Sequence, residues 1–155
     1  MTPGIEQARR AGIEYRVHQY EHDPASESYG LEAAQKTGVE EARVFKTLVV
    51  ELATGDLAVG VVPVAAMLNL KLVARAAGAR KAAMAQPADV ERSSGYVLGG
   101  VSPLGQKKRL ATFIDESANG FATIFVSAGR RGVEIELAPG DLARLTDGEF
   151  AALCR

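Results

Sequence analysis

A lysine interrupts an apolar segment that has the pattern of a β-strand. In residues 44–50, VFKTLVV, alternating side chains point to opposite faces, which places Val44, Lys46 and Leu48 on the same face. Burying an ammonium group is costly unless the group is paired or lines a cleft that contains water. Lys46 is therefore either a cation at the start of the strand that extends to water, or a cation placed to meet a phosphate or a carbonyl oxygen.

A glycine-rich segment is the second candidate for binding chemistry. Residues 95–105, GYVLGGVSPLG, approach the phosphate-binding pattern G-x-x-x-x-G-K-[ST], but Gln106 stands where the lysine is required and Pro103 lacks an N–H donor. The segment is therefore not a nucleoside triphosphate loop. The adjacent Gly99 and Gly100 would let backbone N–H groups approach a ligand closely, and the alternative is a tight turn before the next strand.

The residues of the familiar hydrolases and metal sites are missing from the sequence. No serine lies in a G-x-S-x-G elbow, and the one cysteine, Cys154, can form neither an internal disulfide nor a cysteine-based zinc site. His18 and His22 are predicted on a strand and in a loop, where they share no helical face. We therefore expect no metal site.

Basic and aromatic side chains could contact a polynucleotide. Most surface cations are solvated, but two basic groups that flanked one cleft could hold a phosphodiester backbone. Tyr20 and Tyr29 could stack on a base, or could be ordinary half-buried packing residues. The two basic groups are residues 107–109 and 130–131, and a third lies around Lys71, Arg75, Arg80 and Lys81.

Two further segments place polar side chains on predicted strands. Ser127 ends a predicted strand over residues 121–127. In residues 133–137, VEIEL, Glu134 and Glu136 lie on the face opposite the apolar side chains. We therefore expect both carboxylates to be exposed to solvent.

Composition and charge are those of an ordinary globular domain. The chain has 155 residues, of which 47% are hydrophobic and 24% charged, and its net charge is −1. This balance argues against a protein that coats nucleic acid. The longest apolar stretch, residues 57–70, contains Pro63 and Asn69 and is too short to span a bilayer, and the N-terminus lacks an apolar signal core. We expect one domain over residues 1–155, in the cytoplasm and without membrane contact.

The predicted elements are hairpins with helices between them. Thr2 and Pro3 begin a helix that Gly12 ends, and Asn69 caps another. Strands over residues 44–53 and 57–64 form a hairpin. This order favours an α+β fold with one mixed sheet. The predicted helices cover residues 3–11, 30–36, 70–77, 87–93 and, with a break near Gly148, the tail from residue 138; the other strands cover residues 14–20, 79–85, 109–115, 121–127 and 133–137.

The strand lysine and the glycine-rich loop occur together in a pattern that identifies a family. The motifs YEHDPA, VFKTLVV, GYVLGGVSPLGQKKRL and ATIFVSAGRRGVEIEL run through nearly the whole chain. In these motifs the sequence resembles the bacterial Cys-tRNA(Pro) deacylases of the YbaK type, within the superfamily of prolyl-tRNA synthetase editing domains. The combination of VFKTL with GGVSPLGQKKR is highly specific.

The resemblance implies a fold and a set of site residues. The fold would be a mixed, mostly antiparallel and partly barrel-like β-sheet surrounded by helices, with no metal and no cofactor. The resemblance assigns Lys46 to the 3′-terminal nucleotide or its phosphate, and backbone N–H groups of Gly99 and Gly100 to a developing oxyanion. At Glu134 the family more often has aspartate, and the catalytic part of this residue stays open. Tyr20, Ser127 and Glu134 match pocket positions of the family. The full set of expected substrate-binding residues is Tyr20, Tyr29, Thr47, Val101, Ser102, Pro103, Ser127 and Glu134.

The activity implied by the resemblance is the removal of cysteine wrongly attached to proline tRNA. In the implied mechanism the sulfur of the substrate attacks its own ester carbonyl, a cyclic thioester forms and the tRNA hydroxyl leaves. The enzyme then needs no nucleophile and contributes orientation and oxyanion stabilisation. Whether Cys-tRNA(Cys) is also cleaved stays open, and the implied partner is prolyl-tRNA synthetase.

Three alternatives stay open from the sequence. The chain could remove alanine from Ala-tRNA(Pro) with water as the nucleophile, as in the sister editing class. It could instead bind the aminoacyl end and recruit a synthetase without turnover, or it could be an unrelated oligonucleotide-binding domain. Comparison of cysteinyl with alanyl esters, a test for multiple turnover, and salt-sensitive binding of uncharged RNA separate these alternatives.

Overall fold

Two helices begin at the capping residues predicted for them. The computed structural model of the protein describes residues 1–26 and 29–154, without the side chain of Tyr29. The Thr2 hydroxyl accepts a hydrogen bond from the Ile5 N–H, and Gly12 ends the first helix in the left-handed conformation. The Asn69 side chain caps the third helix. The helices are α1 (Pro3–Ala11), α2 (Tyr29–Thr37), α3 (Leu70–Ala76), α4 (Pro87–Ser94) and α5 (Pro139–Thr146), with 3₁₀ turns at Glu41–Arg43 and Glu116–Gly120.

The strands form two sheets. The larger sheet has five strands in the order β4-β2-β3-β5-β8, and the smaller has three antiparallel strands in the order β1-β7-β6. Within the described ranges, every helix is too short or too polar to be a membrane span. The strands are β1 (Tyr15–Gln19), β2 (Phe45–Leu52), β3 (Leu57–Pro63), β4 (Ala82–Met84), β5 (Ala111–Asp115), β6 (Ile124–Arg130), β7 (Val133–Leu137) and β8 (Glu149–Ala151).

The antiparallel β2–β3 hairpin is the centre of the larger sheet. Apolar clusters cover both faces of this hairpin. Val49 and Val59 enter the core between the two sheets, while Val50 and Val62 pack with Val73 of α3 on the other side. Each fully buried valine stabilises the fold by about 1.5–3 kcal/mol relative to an exposed one. The strand that carries Lys46 is therefore held rigidly from both sides.

The two sheets meet where β2 begins. Val44, just before β2, forms an isolated parallel bridge with Phe125 of β6. Two residues further along β6, the register with β7 shifts between Ser127 and Arg130. Such a bulge bends the strand and changes the direction of its side chains. The junction therefore brings the start of β2 next to the bulged end of β6 and to β7.

The α+β prediction is confirmed, with two differences in detail. The expected single sheet is divided into two, and the described strands do not close into a barrel. The predicted helix after Gly148 is wrong, because Glu149–Ala151 form β8, parallel to β5. The exposed edge of β5 supplies unpaired backbone groups, and pairing with them outweighs the helical preference of this short segment.

Candidate functional site

A cavity of about 290 Å³ opens at the junction of the two sheets. The start of β2, the loop between α4 and β5, and parts of β6 and β7 form its walls. Seven predicted site residues line the cavity, namely Tyr20, Lys46, Thr47, Gly99, Val101, Ser127 and Glu134. The cavity is also lined by Gly30, Phe45, Leu48, Val64 and Leu98. The sequence did not indicate these five residues, because small and apolar side chains give no chemical signal of their own.

Lys46 is the second residue of β2, and its side chain lines the cavity. The Nζ atom donates a hydrogen bond to the Val64 carbonyl oxygen at 3.3 Å. In the described part of the chain, no carboxylate lies within ion-pair distance of this ammonium. Lys46 therefore retains donor capacity for an anionic or carbonyl group that enters the cavity.

Thr47 contributes a hydroxyl with no partner. Its Oγ1 atom is buried and, within residues 1–26 and 29–154, is the one buried side-chain oxygen or nitrogen that forms no hydrogen bond. Leaving a buried hydroxyl unpaired costs about 1–3 kcal/mol, and such exceptions are often found at functional sites. Thr47 lies beside Lys46 in the cavity lining, and the hydrogen-bonding capacity of its hydroxyl is unused within the described residues.

The glycine-rich loop forms the opposite wall and has a special backbone geometry. Gly99 has φ of 88°, a left-handed value that side chains other than glycine rarely adopt. A Cβ atom on Gly100 would lie 3.3 Å from both the Arg130 Cα and the Arg131 N atoms, so the loop packs tightly against the β6 bulge. Both glycines are required to hold the loop in this position.

The two predicted glycine donors differ in their availability. The Gly100 N–H donates to the Val97 carbonyl at 3.0 Å, within a turn, so it is already engaged. Gly99 and Val101 line the cavity, and neither of their N–H groups has a hydrogen-bond partner among the described residues. The Gly99 and Val101 N–H groups are therefore unengaged among the described residues, whereas the Gly100 N–H, predicted as a donor to the ligand, is taken up by the turn.

Ser102 and Pro103 belong to the glycine-rich loop but do not line the cavity. Ser102 is fully buried, and its hydroxyl accepts a hydrogen bond from the Leu104 N–H at 3.2 Å. Pro103 borders a different cavity beside α1. These two residues shape the loop, and the predicted contact with substrate does not follow from their positions. Tyr29, also predicted as a binding residue, has its side chain outside the described residues.

Glu134 and Tyr20 form a polar wall in which burial raises the pKa of both side chains. Glu134 is only 6% exposed, so the expected solvent exposure is wrong. Burial raises the pKa of Glu134 to about 8. Burial and the charges of Glu134 and Glu32 raise the pKa of Tyr20 to about 12. Ser127 lies opposite Glu134 in the β6–β7 register, and its Oγ accepts from the Gly129 N–H at 3.1 Å.

Glu136 is also not exposed in the expected way. Its carboxylate accepts a hydrogen bond from the Thr123 hydroxyl at 2.6 Å and lies 2.9 Å from His18 Nε2 and 3.5 Å from Arg43 Nη2. Although partial burial opposes ionisation, these neighbours lower the pKa of Glu136. Glu136 therefore connects β7 to His18, Arg43 and Thr123 outside the cavity, and its role is structural.

The basic groups predicted near the site are separated. Arg130 and Arg131 line the cavity, and Arg131 donates to the Leu98 carbonyl at 2.9 Å. Lys108 and Arg109 border the other cavity, beside α1. The two groups therefore do not flank one cleft. Among the described residues, no group of three or more His, Cys, Asp or Glu side chains is arranged to hold a metal.

Comparison with known proteins decides the family. The sequence model of the aminoacyl-tRNA editing domain matches residues 23–145. The chain belongs to the aminoacyl-tRNA editing domain family. The matched range contains Lys46, the glycine-rich loop and Glu134, so the predicted family resemblance is confirmed over most of the cavity lining.

Individual relatives of this editing domain agree with the family assignment. EbsC of Enterococcus faecalis, described as a candidate Cys-tRNA(Pro)/Cys-tRNA(Cys) deacylase, is 41% identical over 150 residues, which cover 96% of this chain and 88% of the relative. A crystal structure of a candidate trans-editing enzyme for prolyl tRNA synthetase has a TM-score of 0.84 at 26% identity and covers 100% of this chain and 99% of that chain. A hypothetical protein, also solved as a crystal structure, shares the fold at a TM-score of 0.87 and 24% identity, with 99% of each chain covered.

Proposed function

We propose that this editing domain removes cysteine from Cys-tRNA(Pro) and uses the sulfur of the substrate as the nucleophile. The observation that carries the proposal is the composition of the cavity. It combines a cation with two unengaged backbone N–H groups, and the described residues that line it include neither histidine nor cysteine. A site with binding groups but no activated nucleophile suits a substrate that brings its own. The similarity to EbsC supports the same substrate class.

The proposed reaction is an intramolecular acyl transfer. The cysteine sulfur bonds to the carbonyl carbon of its own ester, the bond from that carbon to the ribose oxygen breaks, and the thiol proton passes to the departing ribose hydroxyl. Water then opens the resulting cyclic thioester to free cysteine. Because the two reacting groups belong to one molecule, the protein accelerates the step chiefly by holding the reactive conformation.

Lys46 is assigned to the terminal nucleotide. Its ammonium group meets an anionic or ester oxygen of the incoming tRNA end, and Thr47 supplies a neighbouring hydrogen bond. Lys46 makes a single hydrogen bond, to a neutral carbonyl, so a phosphate oxygen replaces that partner with a charge-assisted one. This role is binding and orientation, not proton transfer.

The Gly99 and Val101 N–H groups are assigned to the developing oxyanion. Fixed donors of this kind stabilise charge that appears only in the transition state, and one such donor is worth about 3 kcal/mol in well-studied acyl transferases. The Gly100 turn to Val97 contributes by holding the loop in place. Tyr20 and the neutral Glu134 complete the cavity as hydrogen-bond donors to the substrate.

Selection of proline tRNA is assigned to a partner. The chain has a net charge of −1, and the cavity has room for an aminoacyl end but not for a large part of a tRNA. We therefore assign the choice of tRNA to prolyl-tRNA synthetase, in accordance with the description of one solved relative as a trans-editing enzyme for that synthetase.

The test is multiple-turnover deacylation of Cys-tRNA(Pro) and Ala-tRNA(Pro) side by side. We expect repeated turnover of the cysteinyl ester, little cleavage of the alanyl ester, and loss of activity in Lys46→Ala. Cleavage of the alanyl ester at a similar rate would assign the chain to the sister editing class. Binding of both substrates without cleavage of either would make it a recruitment module.

A further inference from the structure

One long segment of this nearly neutral chain has no acidic side chain to balance its basic ones. Residues 57–88 contain four basic side chains and no acidic one. These four, Lys71, Arg75, Arg80 and Lys81, are all exposed, and together they line a shallow groove of about 540 Å³ between α3 and β4. The groove has an apolar floor of Leu70, Ala79 and Ala82. We name it the α3–β4 groove.

The cations of the α3–β4 groove have no acidic partners. No ion pair in the described part of the chain involves any of the four, and Glu51 on the neighbouring β2 strand pairs with none of them. The exposed helical arginines elsewhere differ, since Arg9, Arg10, Arg92 and Arg144 each pair with an acid three or four residues away. The groove therefore keeps its whole positive potential for an external anion.

The α3–β4 groove lies on the same side of the larger sheet as the Lys46 side chain. Leu48 and Val50, which share the face of β2 with Lys46, belong to the same apolar cluster as Val73 of α3. The far end of β2 pairs with β4 through Val50 to Leu52. Six residues of strand separate Lys46 from Leu52, so the groove begins roughly 20 Å from the proposed site of the aminoacyl ester.

We propose that the α3–β4 groove binds the sugar–phosphate backbone of the tRNA whose aminoacyl end occupies the Lys46 cavity. This inference rests on the proposed function, because the groove is within reach of a tRNA only if the aminoacyl end of that tRNA is anchored in the cavity. A polyanion with regularly spaced phosphates matches four unpaired cations in one groove. We expect the contact to be independent of sequence, because cations that meet phosphates read no base edges.

Two variants with the same change in charge test the proposal. In the groove variant, Lys71→Gln, Arg75→Gln, Arg80→Gln and Lys81→Gln remove four positive charges. In the control variant, Arg9→Gln, Arg10→Gln, Arg92→Gln and Arg144→Gln remove four from the paired arginines. Circular dichroism and thermal unfolding establish that each variant is folded. The measurements are the Kd for uncharged tRNA(Pro) at several salt concentrations, and kcat/KM with Cys-tRNA(Pro) and with 3′-cysteinyl adenosine, which is too short to reach the groove.

The expected result separates the two variants and the two substrates. The groove variant binds tRNA at least 10-fold more weakly at 0.1 M salt, and the slope of log Kd against log salt falls by about 3, as expected for the loss of four phosphate contacts. Its kcat/KM for Cys-tRNA(Pro) falls in proportion, while cleavage of 3′-cysteinyl adenosine stays within 2-fold. The control variant differs from the unmodified protein by less than 2-fold in every measurement.

Several results would overturn the proposal. One is an equal loss of tRNA binding in both variants, which would be an effect of net charge alone. Another is unchanged tRNA binding in the groove variant, which would leave the four cations for a different partner, such as an acidic protein surface. If the unmodified protein cleaves neither ester, the proposed function fails, and the binding of uncharged tRNA still decides whether the groove holds RNA.

Discussion

At the scale of single residues, the cavity consists of groups that can bind but are not already occupied. The Lys46 ammonium makes one hydrogen bond to a neutral carbonyl, and the buried Thr47 hydroxyl makes none within the described residues. Proteins usually satisfy such groups, because an unpaired buried donor costs free energy. A ligand that supplies the missing partners recovers that cost on binding.

The neutral isostere Lys46→Met tests the part assigned to the ammonium. We expect the free energy of unfolding to change by less than about 1 kcal/mol, since one hydrogen bond is lost and one charge no longer has to be desolvated. We expect kcat/KM for Cys-tRNA(Pro) to fall roughly 100-fold, equivalent to about 2.7 kcal/mol, with weaker substrate binding as a major component. Full loss of activity with unchanged binding of the aminoacyl end would instead assign Lys46 to the chemical step.

Glu134 makes the stability of the protein depend on pH. Its folded-state pKa of about 8 lies above the ordinary value of 4.5, so the folded state binds the extra proton between these two values. Stability is therefore greatest below about pH 4.5 with respect to this group, and it falls as pH rises toward 8. The decrease between pH 5 and pH 8 is about 3 kcal/mol.

The variant Glu134→Gln removes this titration and keeps the shape of the neutral side chain. Urea unfolding at pH 5, 6.5 and 8 should show a smaller loss of stability with rising pH than the unmodified protein shows. Glu136→Gln is a control on the same strand, since the neighbours of Glu136 lower its pKa instead of raising it. Parallel pH profiles for the unmodified protein and Glu134→Gln would show that the buried carboxyl is already ionised at neutral pH.

At the scale of elements, the site depends on two segments that have little regular structure. The glycine-rich loop packs against the β6 bulge, and the segment before α2 is attached to that helix through Glu32. His22 Nδ1 and the Asp23 N–H each lie 2.7 Å from the Glu32 carboxylate, and Lys36 Nζ lies 3.2 Å away. These contacts hold His22 and Asp23, which follow the cavity residue Tyr20 closely in sequence, against α2.

The backbone of Gly99 can be tested against a glycine of the same conformation elsewhere. Gly99 and Gly55 have φ values of 88° and 92°, but Gly55 lies in the β2–β3 turn, away from the cavity. Alanine should destabilise the protein by about 1–2 kcal/mol at either position. Only Gly99→Ala should lower kcat, by 10-fold or more, since it displaces the proposed oxyanion donors. Equal activity of the two variants would mean that the loop conformation is not used in the reaction.

The Glu32 contacts predict sensitivity to acid. Burial opposes ionisation of Glu32, but the Asp23 N–H, His22 and Lys36 outweigh it and lower the pKa to about 2. Because the folded-state pKa is depressed, this contribution to stability is present above about pH 4.5 and is lost as pH falls toward 2. Glu32→Gln should cost about 1–3 kcal/mol at pH 7 by urea unfolding and should flatten the profile below pH 4.5. An unchanged acid profile would show that the carboxylate is not the anchor of this segment.

At the scale of the whole molecule, local patterns predicted the elements well and their assembly less completely. Caps and periodicity placed α1 and β7 at their observed bounds. Alternation also put Glu134 opposite the apolar face of its strand, but whether that face meets water depends on the junction with β2, which is distant in sequence. In the same way, the pairing of β8 with β5 follows from tertiary geometry. The Gly100 N–H is taken up by a local turn to Val97, which the pair of adjacent glycines did not reveal.

The cavity residues could largely be predicted, because family motifs mark them. The α3–β4 groove could be recognised only once the fold was known. Lys71 and Lys81 are ten residues apart in sequence, and nothing in their spacing shows that they border one groove. The packing of α3 on the Lys46 face of the sheet brings them together. Residues in contact through long-range pairing are the part of a site that sequence patterns describe least well.

The proposed role of the substrate sulfur as the nucleophile can be tested by comparing the cleavage of two esters. Cysteinyl-tRNA(Pro) and its S-methylcysteinyl analogue are nearly the same size, but only the first has a sulfur that can form the cyclic thioester and release a proton. In multiple-turnover deacylation we expect rapid cleavage of the cysteinyl ester and, for the S-methyl ester, a rate within a few-fold of spontaneous hydrolysis. Comparable enzymatic cleavage of both esters would contradict the account, because water or a protein group would then be the nucleophile.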